Sequence, residues 1–137
     1  MNKAAFSLEI YSFNRVNINF DANTRDELQI EFRPSGLFKQ SESESLYELK
    51  IVFTAADKDK QKHMVEIECN ATFKFASKIE FNEIPSYFYS NSIAIIFPYI
   101  RAFISTVTLQ ANYQPLVLPT MNLSSLADPL RENTSKA

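Results

Sequence analysis

Hydrophobic residues first recur at every second position. Phe6, Leu8 and Ile10, then Val16, Ile18 and Phe20, alternate with polar neighbours, the period of a half-buried β-strand. Tyr11 and Phe13 fall on the opposite parity, so the pattern predicts one long strand with two apolar faces at mid-length, bent by a bulge. Asp21–Thr24 reads as a turn. Leu28, Ile30 and Phe32 give a short second strand that Pro34 ends. Ser35, Gly36 and the acidic run to Ser45 read as a loop, from which Leu37 and Phe38 dock on the body. A third strand covers Leu46–Ala56, with Tyr47, Leu49, Ile51, Phe53 and Ala55 on one face. After a charged hairpin loop at Asp57–His63, Val65, Ile67, Cys69, Ala71, Phe73 and Phe75 line one face of a fourth strand, and Met64 and Glu66 belong to the other.

The period then changes to that of a helix. From Ser92 to Gln110, Ile93, Ile96, Phe97, Ile100, Phe103, Ile104 and Val107 share one face. Ile95, Tyr99, Ala102, Thr106 and Leu109 make a second, milder stripe. A helix resting on one sheet needs a single apolar stripe, so the second needs its own cover: a sister subunit or a bound client. Pro98 either bends the first turn or marks the true start. Glu80–Asn91, with Phe81, Tyr87, Phe88 and Tyr89, reads as a connection. Beyond the helix, Ala111–Pro119 is too rich in proline to continue it, and Ser124–Leu130 offers a short helical turn. Strands followed by helices predict an α+β fold: a four-stranded antiparallel sheet, a long helix and a short C-terminal helical segment. One domain is expected over residues 1–137, with a polar, frayed tail from about residue 128.

Composition narrows the function. Hydrophobic content of 45% and charged content of 22% are globular values, and a net charge of −2 gives no drive toward nucleic acid. A single glycine, Gly36, rules out phosphate-cradling loops, which need several. One Cys and one His leave too few soft ligands for a zinc site. Cys69 and His63 lie six residues apart on one strand, about 20 Å when extended, so they form no nucleophile–base pair. Glu66 and Glu68 share a strand face with polar neighbours and read as solvated. Neither catalysis, metal nor cofactor is expected. Glu9 interrupts the amino-terminal run too early for a signal peptide. The longest strongly apolar run, Ile93–Ile100, falls short of the roughly 20 residues that span a bilayer, so no membrane insertion and a cytoplasmic location are expected.

The 12 Phe and 6 Tyr amount to 13% of the chain. Core filling accounts for Phe53, Phe73, Phe75, Phe97 and Phe103. It accounts less well for Tyr87–Tyr89, Tyr99, Tyr113, Leu116 and Leu118, which stand in connections or on the second helical face. Oligomer contact, a groove for apolar peptide, and ordinary packing remain open for them.

Two motifs carry a resemblance. Ile96-Phe97-Pro98-Tyr99-Ile100-Arg101 is similar to the F-P-Y-A-R helix of the SecB chaperone family. Tyr113-Gln114-Pro115 and Leu116–Asn122 are similar to the same family's F-P-x-L-x-L-x-P-V-N-F stretch, at matching distance. The resemblance covers roughly Phe6 to Leu126. It implies an ATP-independent holdase, a dimer of dimers that binds unfolded or precursor polypeptides and, in export, passes them to the SecA motor. The family's client groove maps onto Leu28, Ile30 and Phe32, a crossover lined by Tyr87, Phe88 and Tyr89, and Tyr113, Leu116 and Leu118. Glu66 matches part of its acidic SecA-docking face, but Arg15 and Asn19 stand where acids are expected. That departure, and the curtailed C-terminal helix, bring a chaperone dedicated to one client, such as an antitoxin, level with general export. A structural adaptor without chaperone activity is the competing class.

Overall fold

Alternating residues become strands, and the strands pair into one mixed sheet. The computed structural model describes residues 5–19, 28–56, 63–111, 118 and 122–137. Strands β1 (Phe6–Ile18), β2 (Gln29–Gln40), β3 (Ser45–Ala56), β4 (His63–Phe75) and β5 (Thr134–Lys136) take the spatial order β1-β4-β3-β2-β5. The first four are antiparallel and β5 runs parallel to β2. Helix α1 (Ser86–Gln110) packs across one face, and the shorter α2 (Ala127–Glu132) follows it.

β1 has one apolar face, not two. Its register against β4 slips once between Leu8 and Ile10 and again between Phe13 and Arg15. The extra residues are Glu9 and Asn14. Each bulge flips the side-chain parity, so Phe6, Leu8, Tyr11, Phe13, Val16 and Ile18 all oppose inward-facing β4 residues. The change of parity in the sequence is therefore the trace of two bulges. Asn14 is tied to β4 by a hydrogen bond from the Asn70 amide.

β2 does not stop at Pro34. It continues to Gln40, pairing with β3 throughout, and the expected acidic loop shrinks to a turn closed by the Ser41 N–H donating to the Glu44 carbonyl (2.9 Å). The reason is the direction of the amides. The Gly36 N–H donates to the Asn133 carbonyl (3.2 Å), and the Phe38 carbonyl accepts from the Ala137 N–H (2.9 Å). Even-numbered residues of β2 thus turn their amides away from β3. Pro34 presents its nitrogen to that same outer edge, so the ladder with β3 loses no donor. Gly36 is required by contact: a Cβ there would lie 1.9 Å from the Tyr47 hydroxyl, whose ring crosses the strand at this point.

The expected frayed tail is docked instead. Leu130 is fully buried, and residues 134–136 form β5 against Gly36–Phe38. Thr134 donates to the Leu130 carbonyl (2.7 Å) and accepts from the Tyr47 hydroxyl at 2.6 Å. Three polar residues gave no strand signal; their order comes from the edge they complete.

Helix α1 begins at Ser86, with Pro85 as its N-cap, so Tyr87, Phe88 and Tyr89 lie in its first turn and not in a connection. The buried stripe Phe88, Tyr89, Ser92, Ile93, Ile96, Phe97, Ile100, Ile104 and Thr108 keeps one helical period from end to end. Pro98 sits within the helix on its exposed side, where water can reach the carbonyl it leaves unbonded. At 25 residues α1 is long and apolar enough to cross a membrane, but its buried stripe lies against the sheet, as a core helix does. Met64, expected outside, is buried. The turn at 21–24, the loop residues 57–62, and Tyr113 and Leu116 lie outside the described residues.

Cys69 is buried at 2% exposure in the inward row of β4. Burial pushes its thiol up to about 12. That is the reverse of an activated thiolate. Native protein at pH 8 should resist alkylation at Cys69 and react fully in denaturant; equal rates in both would place the thiol at the surface. The folded value lies above the ordinary thiol value of 9.0, so the neutral thiol is the form that the fold holds. This contribution to stability is whole below pH 9 and declines as pH rises toward about 12. Urea midpoints measured from pH 8 to 11 should fall accordingly.

Candidate functional site

Two apolar surfaces remain after the subunit has folded. The first joins α1 to β1. All five residues of the second helical stripe face solvent, with Ile95 at 39%, Tyr99 at 44% and Leu109 at 55% exposure, and Ala102 and Thr106 also exposed. Beside them, the Tyr11 ring lies 4.5 Å from that of Tyr99, and Phe13 stacks on Phe103 at 3.9 Å with only 5° between the planes. Tyr11 and Val16 stay exposed. Among the described residues β1 pairs only with β4, so one edge of a 13-residue strand has no partner beside this patch.

The second surface runs along the inner face of β2. Leu28 and Ile30 are half-buried, whereas Phe32 is closed off by Phe53 and Phe97, at ring distances of 5.0 and 5.5 Å. Tyr87 is exposed, Tyr89 nearly buried and Phe88 completely so, held among Phe6, Tyr47, Phe73 and Phe75. Leu118 is also buried. Phe88 and Leu118 are thus core residues of the folded subunit. The two clusters expected to share one groove stand at opposite ends of β2. Ile30 opposes Ala55, while the start of α1 packs on Tyr47, which opposes Phe38. Eight residues of strand separate those ends, about 26 Å.

The chain's own C-terminal segment fills part of this surface. The 3-10 turn Leu123–Leu126 and α2 pack against both α1 and β2. Arg131 places its guanidinium 5.7 Å over the Tyr89 ring. Burial raises the Tyr89 phenol, and Arg131 partly offsets this. The sequence held no signal for this docking beyond the apolar Leu123, Leu126 and Leu130.

The outer sheet face is mostly polar and mixed in sign, with Ile10 exposed on it at 66%. Glu66 opposes Asn17 and Thr54, Arg15 opposes Glu68, and Lys39 pairs with Glu48 at 3.1 Å. Among the described residues no cluster of His, Cys, Asp or Glu could hold a metal. A recess of about 240 Å³ at the Ile30 end, lined also by Glu31, Thr54 and His63, is below the usual size of a small-molecule pocket. The site offers an open apolar patch along α1 and β1 and, at the Ile30 end of β2, the half-buried Leu28 and Ile30.

Comparison with known proteins gives the following. The family described as preprotein translocase subunit SecB matches residues 6–129. Among solved structures, the SecB-like chaperone Rv1957 of Mycobacterium tuberculosis, in complex with a ChAD peptide from the HigA1 antitoxin Rv1956, superposes with a TM-score of 0.65. Identity is 15%, over 85% of this chain and 88% of that one. A Streptococcus agalactiae protein of unknown function superposes at 0.53, with 11% identity over 85% and 98% of the two chains. An uncharacterised protein of Methanocaldococcus jannaschii, MJ0357, is 46% identical over 50 residues. That match spans 34% of this chain and 32% of the relative.

Proposed function

Because this chain belongs to the SecB family, and is therefore a SecB-like chaperone, we propose that it works as an ATP-independent holdase for non-native polypeptides. The observation that carries this reading is apolar surface left open on a folded subunit along α1 and β1, with Leu28 and Ile30 only half-covered at the end of β2. A holdase needs area that accepts many sequences, not a reactive constellation. Each client side chain that such surface buries contributes roughly 1.5–3 kcal/mol. Several sites in one oligomer add avidity. Holding the unfolded form is mass action, which needs no nucleotide. We assign the α1 stripe, continued by Tyr11 and Val16 of β1, to a homo-oligomer built as a dimer of dimers, and Leu28 and Ile30 to client contact. We propose a cytoplasmic location and no enzymatic role.

A dedicated client is favoured over general export through SecA. The structural relative was solved with an antitoxin peptide, and the outer face here sets Arg15 opposite Glu68 and Lys50 opposite Asn70. A basic partner gains little from such mixed charge.

The test is suppression of aggregation without nucleotide. An equimolar amount of the oligomer should keep unfolding proteins in solution. Protection of several unrelated proteins supports a general holdase, and protection of one alone supports a dedicated chaperone. If all precipitate as fast as in its absence, the chaperone reading fails and the adaptor remains. Ile30→Asp places a charge in the open end of the surface. It should weaken client binding by about 10- to 100-fold, the equivalent of one buried aliphatic side chain, while light scattering returns an unchanged oligomer mass.

A further inference from the structure

We propose that β5 is a latch: it holds the outer edge of β2 at Gly36–Phe38, and an extended client must displace it to pair there. This rests on the client-binding reading above and adds to it how that surface is closed. Gly36 pairs with Thr134, Leu37 with Ser135 and Phe38 with Lys136. Ser135 and Lys136 are exposed, so the strand is held by backbone hydrogen bonds and by one side chain, Thr134, on the Tyr47 hydroxyl. Three residues with few buried contacts belong to the least stable part of a fold, the part that opens first.

The edge under the latch suits a client of no fixed sequence. Strand addition uses main-chain groups, which every polypeptide carries. The amides of Gly36 and Phe38 point outward, whereas Pro34 offers no donor on that edge. The amides of Ile30 and Phe32 point the same way onto the open part of the edge, so an added strand that runs the length of β2 reaches Gly36–Phe38, beyond Pro34, only by displacing the tail. This edge continues the row of Ile30 and Phe32, and the remainder of it, Gln29–Ser35, pairs with no strand among the described residues. A client bound at the Ile30 end thus reaches the latch by extending along β2.

Leu37→Cys with Ser135→Cys tests this in the full chain. The two positions face each other in register. Neighbouring strands lie about 4.8 Å apart, within the span of a disulfide. Cys69 is buried away from exchange. The probe is a fluorescein-labelled, reduced and carboxymethylated lactalbumin, which cannot refold. A latch that must open predicts affinity about tenfold lower in the oxidised form, because the competent fraction falls, and wild-type affinity after reduction. Client should also speed deuterium exchange at the Ala137 amide. Equal affinity in the oxidised and reduced forms, with the Ala137 amide unaffected, would overturn the latch and leave the holdase standing. No binding by wild type or by either form would overturn the holdase reading and the latch with it.

Discussion

Phe88→Ala is expected to cost about 3–5 kcal/mol of stability, the range for emptying a large aromatic site in a core. Its ring is fully buried, with centroids 4.6 Å from both Phe6 and Tyr47 and 5.1 Å from Phe75. The edge-to-face contacts with Phe6 and Tyr47 are lost with it. Domains have only about 5–15 kcal/mol in hand, so urea unfolding should move to much lower denaturant. The measurement also separates two roles. A groove residue would lose client binding at unchanged stability. Phe88 should lose stability, and the folded fraction should bind as wild type does.

Ile95→Glu with Leu109→Glu is expected to weaken self-association by about a thousandfold. Both positions are exposed on the folded subunit, so the monomer should keep its melting temperature. They stand about 21 Å apart along α1, four turns on one face. In a two-fold interface each change occurs twice. Taking about 1 kcal/mol for the exposed part of each side chain gives about 4 kcal/mol in all, or three decades in the association constant. Light scattering at micromolar concentration should report a smaller species. An unchanged oligomer mass would remove the stripe from the interface.

Helix α1, the inward rows of β3 and β4, and the exposed second stripe were readable because each is a long periodic run over which a single face decides burial. The remainder was hidden by local breaks. Two bulges shift parity within β1, so alternation alone implied a second apolar face that does not exist. Pro34 resembles a strand end, yet its missing donor falls on the outer edge. Tyr87-Phe88-Tyr89 look like a connection beside Pro85, although Phe88 and Tyr89 continue the period of Ile93 and Ile96 into the first helical turn. The polar Thr134–Lys136 strand has no pattern of its own; it exists because β2 has an edge to complete. The candidate surface was legible as surplus apolar residues. How they divide between core and open face was not, because burial of Phe88 and Leu118 depends on elements distant in sequence.

Selectivity for the unfolded state tests the central claim most directly. Binding of one polypeptide should be followed by fluorescence anisotropy in two forms, disulfide-intact and folded, then reduced, alkylated and unfolded, with no nucleotide present. Open apolar surface on an assembled oligomer predicts saturable binding of the unfolded form at micromolar concentration or below, and none of the folded form. Equal affinity for both forms, or binding of neither, would contradict it.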